Sequence, residues 1–404
     1  MIRHKLFLYL TIWFLISQLF PPYSAFVPIR GALALVVYCA GAIVLFPSLI
    51  KTRSIIWLSV YGVITYILFL SGNAFFETIN DLIVPLLSMY SSLIMIEYVL
   101  KFDIDYKLTK IIVIESVILN AIMCIITIPQ LFINPNLMRM AGDLLASGTT
   151  QDLSILNWMM SYGNIHGLPM LIAPITFLMR NSFHSNKIFF FIWFTIWCLF
   201  MYMIFKSNAT TPFIVALMMA IMGYLFYGPS LNNNIILKGF MCLVLGVLFL
   251  NKTILVSFID VAQSLMSTTD SNYGKMDEIR SQILYGDADG DLGARNEMYS
   301  ASQDLFFESP LFGTDTPEKI GHHSYILDRF ALLGIIFIIP LIFVFFYNFK
   351  SCKKNLSYSL ITYYVGLISF LMLLWLKNEF GSGTWLYGFA LLPTFCRYID
   401  TRNN

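Results

Sequence analysis

Arg295, His322 and His323 are the residues whose types and setting best suit chemistry. They lie in the long hydrophilic segment from Lys252 to His323, in a chain that otherwise reads as apolar runs. That segment gathers acids, an arginine and a histidine pair. It ends in Gly321-His322-His323-Ser324-Tyr325 and then passes into Ile335-Ile336-Phe337-Ile338-Ile339. Chemistry concentrated there takes place at a membrane face. Two other constellations carry less. Asp287, Asp289 and Asp291 match the first, third and fifth positions of a calcium loop, but Leu292 stands where such a loop needs Gly and Met298 where it needs Glu. A solvated acidic turn is the better reading. The cysteines, Cys39, Cys124, Cys198, Cys242, Cys352 and Cys396, show no metal-ligand spacing, and none falls in an external loop, which excludes a disulfide framework.

The elements that must position these residues are membrane helices. Of 404 residues 58% are hydrophobic and only 12% charged, about half the charge of a soluble domain. Mean hydropathy is +0.74. Apolar runs near the length that crosses a bilayer recur, and lipid forces the backbone to bond within each run, which requires helices. The expected spans are 6–22, 31–50, 55–71, 81–100, 111–133, 164–180, 188–205, 210–227, 236–256, 325–348, 357–376 and 384–397, an all-α polytopic architecture of about twelve transmembrane helices. The last is the weakest, being short and containing Pro393. Short connectors on one side hold Arg3, Lys5, Lys51, Arg53, Lys350, Lys353, Lys354 and Arg402, so that side and both termini are expected to be cytoplasmic. The start also fits a signal peptide, with Tyr23-Ser24-Ala25 as a cleavage site; a retained first span is the simpler reading.

The chain reads as one membrane domain, 1–404, with two external embellishments, 134–164 and 252–323. In the longer one, 258–284 is expected to hold a helix along the surface. A second helix is expected over Leu292–Glu308 with Met298, Ala301, Leu305 and Phe306 on its apolar face, capped by Asp291 and ended by Pro310. No internal repeat appears, and no basic stripe points to nucleic acid.

Four short segments occur in a telling order: Arg295-Asn296-Glu297-Met298-Tyr299, then Glu308-Ser309-Pro310-Leu311-Phe312-Gly313, then Gly321-His322-His323-Ser324-Tyr325-Ile326-Leu327-Asp328, then Leu333-Gly334-Ile335-Ile336. This order resembles the O-antigen polymerase (Wzy-type) and O-antigen ligase superfamily, most closely over 295–336. The resemblance implies a C-type glycosyltransferase fold in a bacterial inner membrane, with no cofactor, no nucleotide-sugar site and no required metal. The implied substrate is a glycan on a polyprenyl diphosphate, transferred to a sugar hydroxyl on the outer face, with membrane lipid and a chain-length regulator protein as partners. In that chemistry Arg295 meets the charge growing on the diphosphate, and His323 or His322 takes the hydroxyl proton. Asp328, five residues after His323, favours His323 and is expected to orient the imidazole or pair with Arg329; the position directly after Gly321 favours His322.

The resemblance also implicates Phe205-Lys206-Ser207-Asn208, where the family often carries an arginine for the diphosphate. Here Asn208 stands at that position, and Lys206 lacks the planar fork. Lys206 as a phosphate ligand and as a positional anchor remain open alternatives. Asn164, at the start of the sixth run, is expected to line the cavity or, more simply, to cap its helix, with His166 as an interfacial residue. Arg295 paired with Glu297 or Asp291 is the bland alternative for the arginine. A polymerase, a ligase acting on lipid A core and a polysaccharide flippase are the competing functions. The long loop with Arg and His favours an enzyme over a transporter.

Overall fold

A computed structural model describes residues 2–23, 31–72, 75, 78–134, 137, 158–226, 252–264, 271–285, 291–377 and 381–403. The expected span 236–256, apart from its last residues, the acidic turn after Gly286 and most of 134–164 lie outside them. Among the described residues the regular structure is helical. The helices are α1 (Ile2–Leu19), α2 (Ala32–Leu45), α3 (Arg53–Leu70), α4 (Ile79–Phe102), α5 (Lys107–Ile133), α6 (Tyr162–Ser185), α7 (Lys187–Lys206) and α8 (Thr210–Leu225). They continue as α9 (Lys252–Ser264), α10 (Ser271–Tyr285), α11 (Asp291–Glu308), α12 (Tyr325–Asn355), α13 (Leu360–Leu376), α14 (Gly381–Trp385), a π-helical turn (Leu386–Leu391) and α15 (Leu392–Asn403). Apart from 236–256, each expected span coincides with a helix or, for the last, with the α14–α15 run. Among the described residues five helices, α3, α4, α5, α7 and α12, are long and apolar enough to cross a membrane, and α2, α8 and α13 are shorter apolar helices. The protein is a helical membrane protein.

The C-terminal run, weakest by hydropathy, is at the centre. Trp385 through Asp400 is buried throughout, packed against α4, α5 and α6. A helix surrounded by other helices need not present an apolar face to lipid, so it can carry polar residues that bond to its neighbours. Asp400 accepts from the backbone N–H groups of Ser357 and Ser359 at 2.9 and 2.8 Å, which holds the start of α13. Arg397 donates to the Asp103 carbonyl at 3.0 Å and lies over the Tyr106 ring. Pro393 lacks an N–H and crowds the preceding turn, and the chain widens into the π-helical turn just before it. These contacts fasten one end of the bundle. The long loop's helices and the candidate residues gather at the other.

Candidate active site

The loop helix α11 opens at Asp291, the residue expected to cap it, and closes at Glu308 before Pro310. Of the apolar face expected for it, Ala301, Leu305 and Phe306 turn inward and Met298 is exposed. Arg295, Tyr299 and Ser302 turn inward beside them, polar or part-polar residues that apolar spacing alone does not pick out. The surface element expected within 258–284 is two helices, α9 and α10, joined by an exposed Arg280–Asp260 ion pair.

The turn that follows α11 explains the Pro-Leu-Phe-Gly and Gly334 segments. α12 breaks at Gly334, whose φ of 61° and ψ of −177° suit glycine alone. The break frees N–H groups of Ile335 and Ile336, which donate instead to the carbonyls of Pro310 (2.8 Å) and Leu311 (3.1 Å). The Ala331 carbonyl, freed on the other side, accepts from Thr314 N–H at 2.8 Å. Gly313, with φ 86°, lies against the backbone of Leu332 and Leu333, and a Cβ on either glycine would overlap the opposite backbone. The two glycines therefore interlock loop and helix. This is an anchoring role, and it fixes where the histidines sit.

Asp328 positions the histidine turn. It is buried, and its carboxylate accepts from the Ser302 hydroxyl at 2.7 Å and from the Ser324 N–H at 3.1 Å. Ser302 Oγ in turn accepts from Gly321 N–H at 3.0 Å. Gly321 rests directly on the Met298 carbonyl, where a side chain would not fit. Of the two roles expected for Asp328, orienting an imidazole or pairing with Arg329, the hydrogen bonds show a third: it ties α11, the 321–324 turn and the start of α12 together. Ser324 caps α12, accepting from Leu327 N–H at 3.3 Å.

The geometry then separates the histidines. His322 is exposed, adopts a left-handed backbone (φ 54°) and stacks on the Phe75 ring at 4.7 Å. Arg329 reaches the same ring: buried, its guanidinium lies 4.8 Å from Phe75 and 5.1 Å from Tyr325, beside a small cavity that Asp81 and Tyr61 also line. His323 turns the other way, toward Tyr299, with ring centroids 5.4 Å apart. Its Nε2 lies 3.3 Å from Lys377 Nζ. Tyr299 donates its hydroxyl to the Leu376 carbonyl at 2.6 Å, and burial is the main cause that raises its pKa, with Asp328 adding and Arg295 opposing. Arg295, one helical turn before Tyr299 and half-buried, is thus on the His323 side.

Lys377 is the residue that the sequence reading missed. It ends α13, is 9% exposed, and has both backbone groups engaged: its N–H donates to Leu373 and its carbonyl accepts from Tyr325 N–H at 3.1 Å. His166 lies within electrostatic reach of it. Two expectations at this end of the bundle are corrected. Ser161, not Asn164, caps α6, because its hydroxyl accepts from Asn164 N–H; the Asn164 amide instead donates to the Gln18 carbonyl at 3.2 Å and ties α6 to α1. His166 is buried, not interfacial, held at Nδ1 by the Tyr162 carbonyl. Farther along, Lys206 folds over the Phe132 ring at 4.7 Å, and Asn208 is buried in a left-handed turn (φ 55°) between α7 and α8. The aromatic packing of Lys206 fits the positional anchor.

The assembled group is one imidazole with its Nε2 against an ammonium, a phenol and a guanidinium on the adjoining helix, and a second buried imidazole nearby. Such a set can bind an anion and exchange a proton. No protein-family model matches this chain, and none of the curated proteins matches it in sequence.

Proposed function

We propose that the protein is a polymerase of surface polysaccharide, of the O-antigen kind, that joins polyprenyl-diphosphate-linked repeat units on the external face of a bacterial inner membrane. The single observation that carries this reading is the convergence on His323 of separated segments of the Arg-to-Gly334 order. Tyr299 of α11 meets His323, Asp328 holds the turn that bears it, and the interlocked Gly313 and Gly334 anchor that turn to α12. A ladder of cation, base and anchoring glycines in one loop is what transfer from a lipid diphosphate needs. Charge grows on the leaving diphosphate, and a guanidinium matches its oxygens. The acceptor hydroxyl loses a proton, and an imidazole takes it.

In this reading Arg295 faces the diphosphate and His323 Nε2 is the base. The hydroxyl proton passes to Nε2, the hydroxyl oxygen bonds the anomeric carbon, and the bond from that carbon to the diphosphate oxygen breaks with its electron pair leaving on the diphosphate. His322, stacked on Phe75, has a packing role. Chain polymer then grows by one repeat per event. A ligase would use the same groups on a different acceptor, and a flippase would need no base at all.

The test is a strain lacking this gene, complemented with wild type, His323→Ala or His322→Ala, with its surface glycan separated by length. Loss of a general base costs about 10²–10⁴-fold in rate. His323→Ala should therefore leave single repeat units while His322→Ala retains a ladder. The opposite pattern exchanges their roles, and full-length polymer in both variants removes the imidazole from the chemistry.

A further inference from the structure

We propose that Lys377 is a second cation of the site and gates its base: the ammonium caps His323 Nε2 and exchanges that contact for a phosphate oxygen of the lipid-linked donor, which frees the imidazole lone pair for the acceptor hydroxyl. This rests on the glycosyl-transfer reading above.

The argument starts from donor and acceptor roles. A lysine ammonium has three N–H donors and no acceptor. Across the 3.3 Å separation from Nε2 it can only donate, a contact that requires the neutral imidazole with its proton on Nδ1. The lone pair that faces Lys377 is then the one that a hydroxyl proton would need. His323 cannot act through Nε2 while that contact stands. An incoming anion is the group that draws an ammonium away from a neutral acceptor, because a charge-assisted bond to phosphate is roughly twice as strong as a bond to a neutral partner.

The fold pins the Lys377 backbone. The Lys377 N–H and carbonyl are both bonded, to Leu373 and Tyr325, so the backbone is pinned between α13 and the first turn of α12. The four-carbon stem is flexible and presents a point charge. Tyr299 and the ammonium of Lys377 approach the His323 ring from two elements, α11 and the end of α13, and Arg295 lies one turn before Tyr299 on α11. His166, in the first turn of the 24-residue α6, lies within electrostatic reach of the ammonium. In the reaction the hydroxyl proton moves to Nε2 as the carbon–oxygen bond forms, and the leaving diphosphate keeps the electron pair of the broken bond, its charge met by Lys377 and Arg295.

Farnesyl diphosphate, a short prenyl diphosphate without a sugar, is the probe. Binding is measured on the purified full-length protein for wild type, Lys377→Met and Lys377→Arg, and the ¹⁵N resonances of labelled histidine are followed during titration, with His323 assigned by His323→Gln. Lys377→Met should weaken binding about ten- to a hundred-fold, the loss of one charged hydrogen bond, while Lys377→Arg retains most of it. In wild type the His323 Nε2 resonance should shift on binding, and in Lys377→Met it should stand at the shifted position from the outset. Wild-type affinity in a folded Lys377→Met, or an Nε2 resonance indifferent to the probe, overturns the gate and leaves the glycosyl-transfer reading standing. A wild-type protein that neither binds the probe nor extends lipid-linked glycan sinks the glycosyl-transfer reading and the gate with it.

Discussion

Replacing Gly334 with alanine should be strongly destabilising, because it adds a methyl group where the loop turn and α12 interlock. Gly334 has φ 61° and ψ −177°, a region that L-residues reach at about 1–3 kcal/mol. Its new Cβ would overlap the Gly313 nitrogen and the Leu311 carbonyl, which are backbone atoms and cannot rotate aside. Relief requires the 310–314 turn to lift, which breaks the Ile335–Pro310 and Ile336–Leu311 hydrogen bonds of 2.8 and 3.1 Å. Each bond lost adds about 0.5–1.5 kcal/mol. With the backbone strain the total is about 2–6 kcal/mol. The variant should melt earlier in detergent, be cut by protease within 309–316, and lose activity because the histidine turn is no longer held. Gly274→Ala is the matched control, since nothing lies within 4 Å of its Cβ and it sits inside α10. It should be neutral or gain up to about 1 kcal/mol. If Gly334→Ala resists heat and protease as well as Gly274→Ala, the interlock does not hold the loop.

Three further outcomes are expected. Arg295→Lys should lose most activity at equal protein level, because lysine has no planar fork; normal amounts of long-chain glycan would reduce Arg295 to a surface ion pair. Ser302→Ala removes the hydroxyl that bridges Asp328 and Gly321, so it should lower activity through a displaced His323 and destabilise by about 1–3 kcal/mol; unchanged melting and unchanged activity would show that the bridge positions nothing. A reporter fused after Gly286 should be external and one fused after Lys354 cytoplasmic, and both on one side would end the twelve-span topology.

Much of the scaffold was legible because lipid imposes one rule on every span, a long apolar run with internal backbone bonds. The rule is weakest for the α14–α15 run, where Pro393, Arg397 and Asp400 depress hydropathy, yet neighbouring helices cover the segment and supply its partners. For α11 apolar spacing finds Ala301, Leu305 and Phe306 on the inward side but adds the exposed Met298 and passes over Arg295, Tyr299 and Ser302. The glycines could be noticed as punctuation, but their interlock joins Gly313 to Gly334 through a helix break that no local pattern specifies. Lys377 was the hardest to see. It meets His323 across 54 residues of chain, and in sequence it is an ordinary lysine at the end of an apolar run. A buried basic residue directly after a span of 17 residues, too short to let it reach past the interface, is the only cue that could have marked it.

The central claim is that this protein transfers glycan from a polyprenyl diphosphate to a sugar hydroxyl. It is tested most directly by placing the purified full-length chain in lipid vesicles with lipid-linked repeat units extracted from its own host. Chain length and released polyprenyl diphosphate are then measured together. The account predicts a ladder of longer lipid-linked glycans, one polyprenyl diphosphate released per added repeat, and neither product with His323→Ala. Repeat units that remain single with the wild-type protein, or a ladder of equal length from His323→Ala, would contradict it.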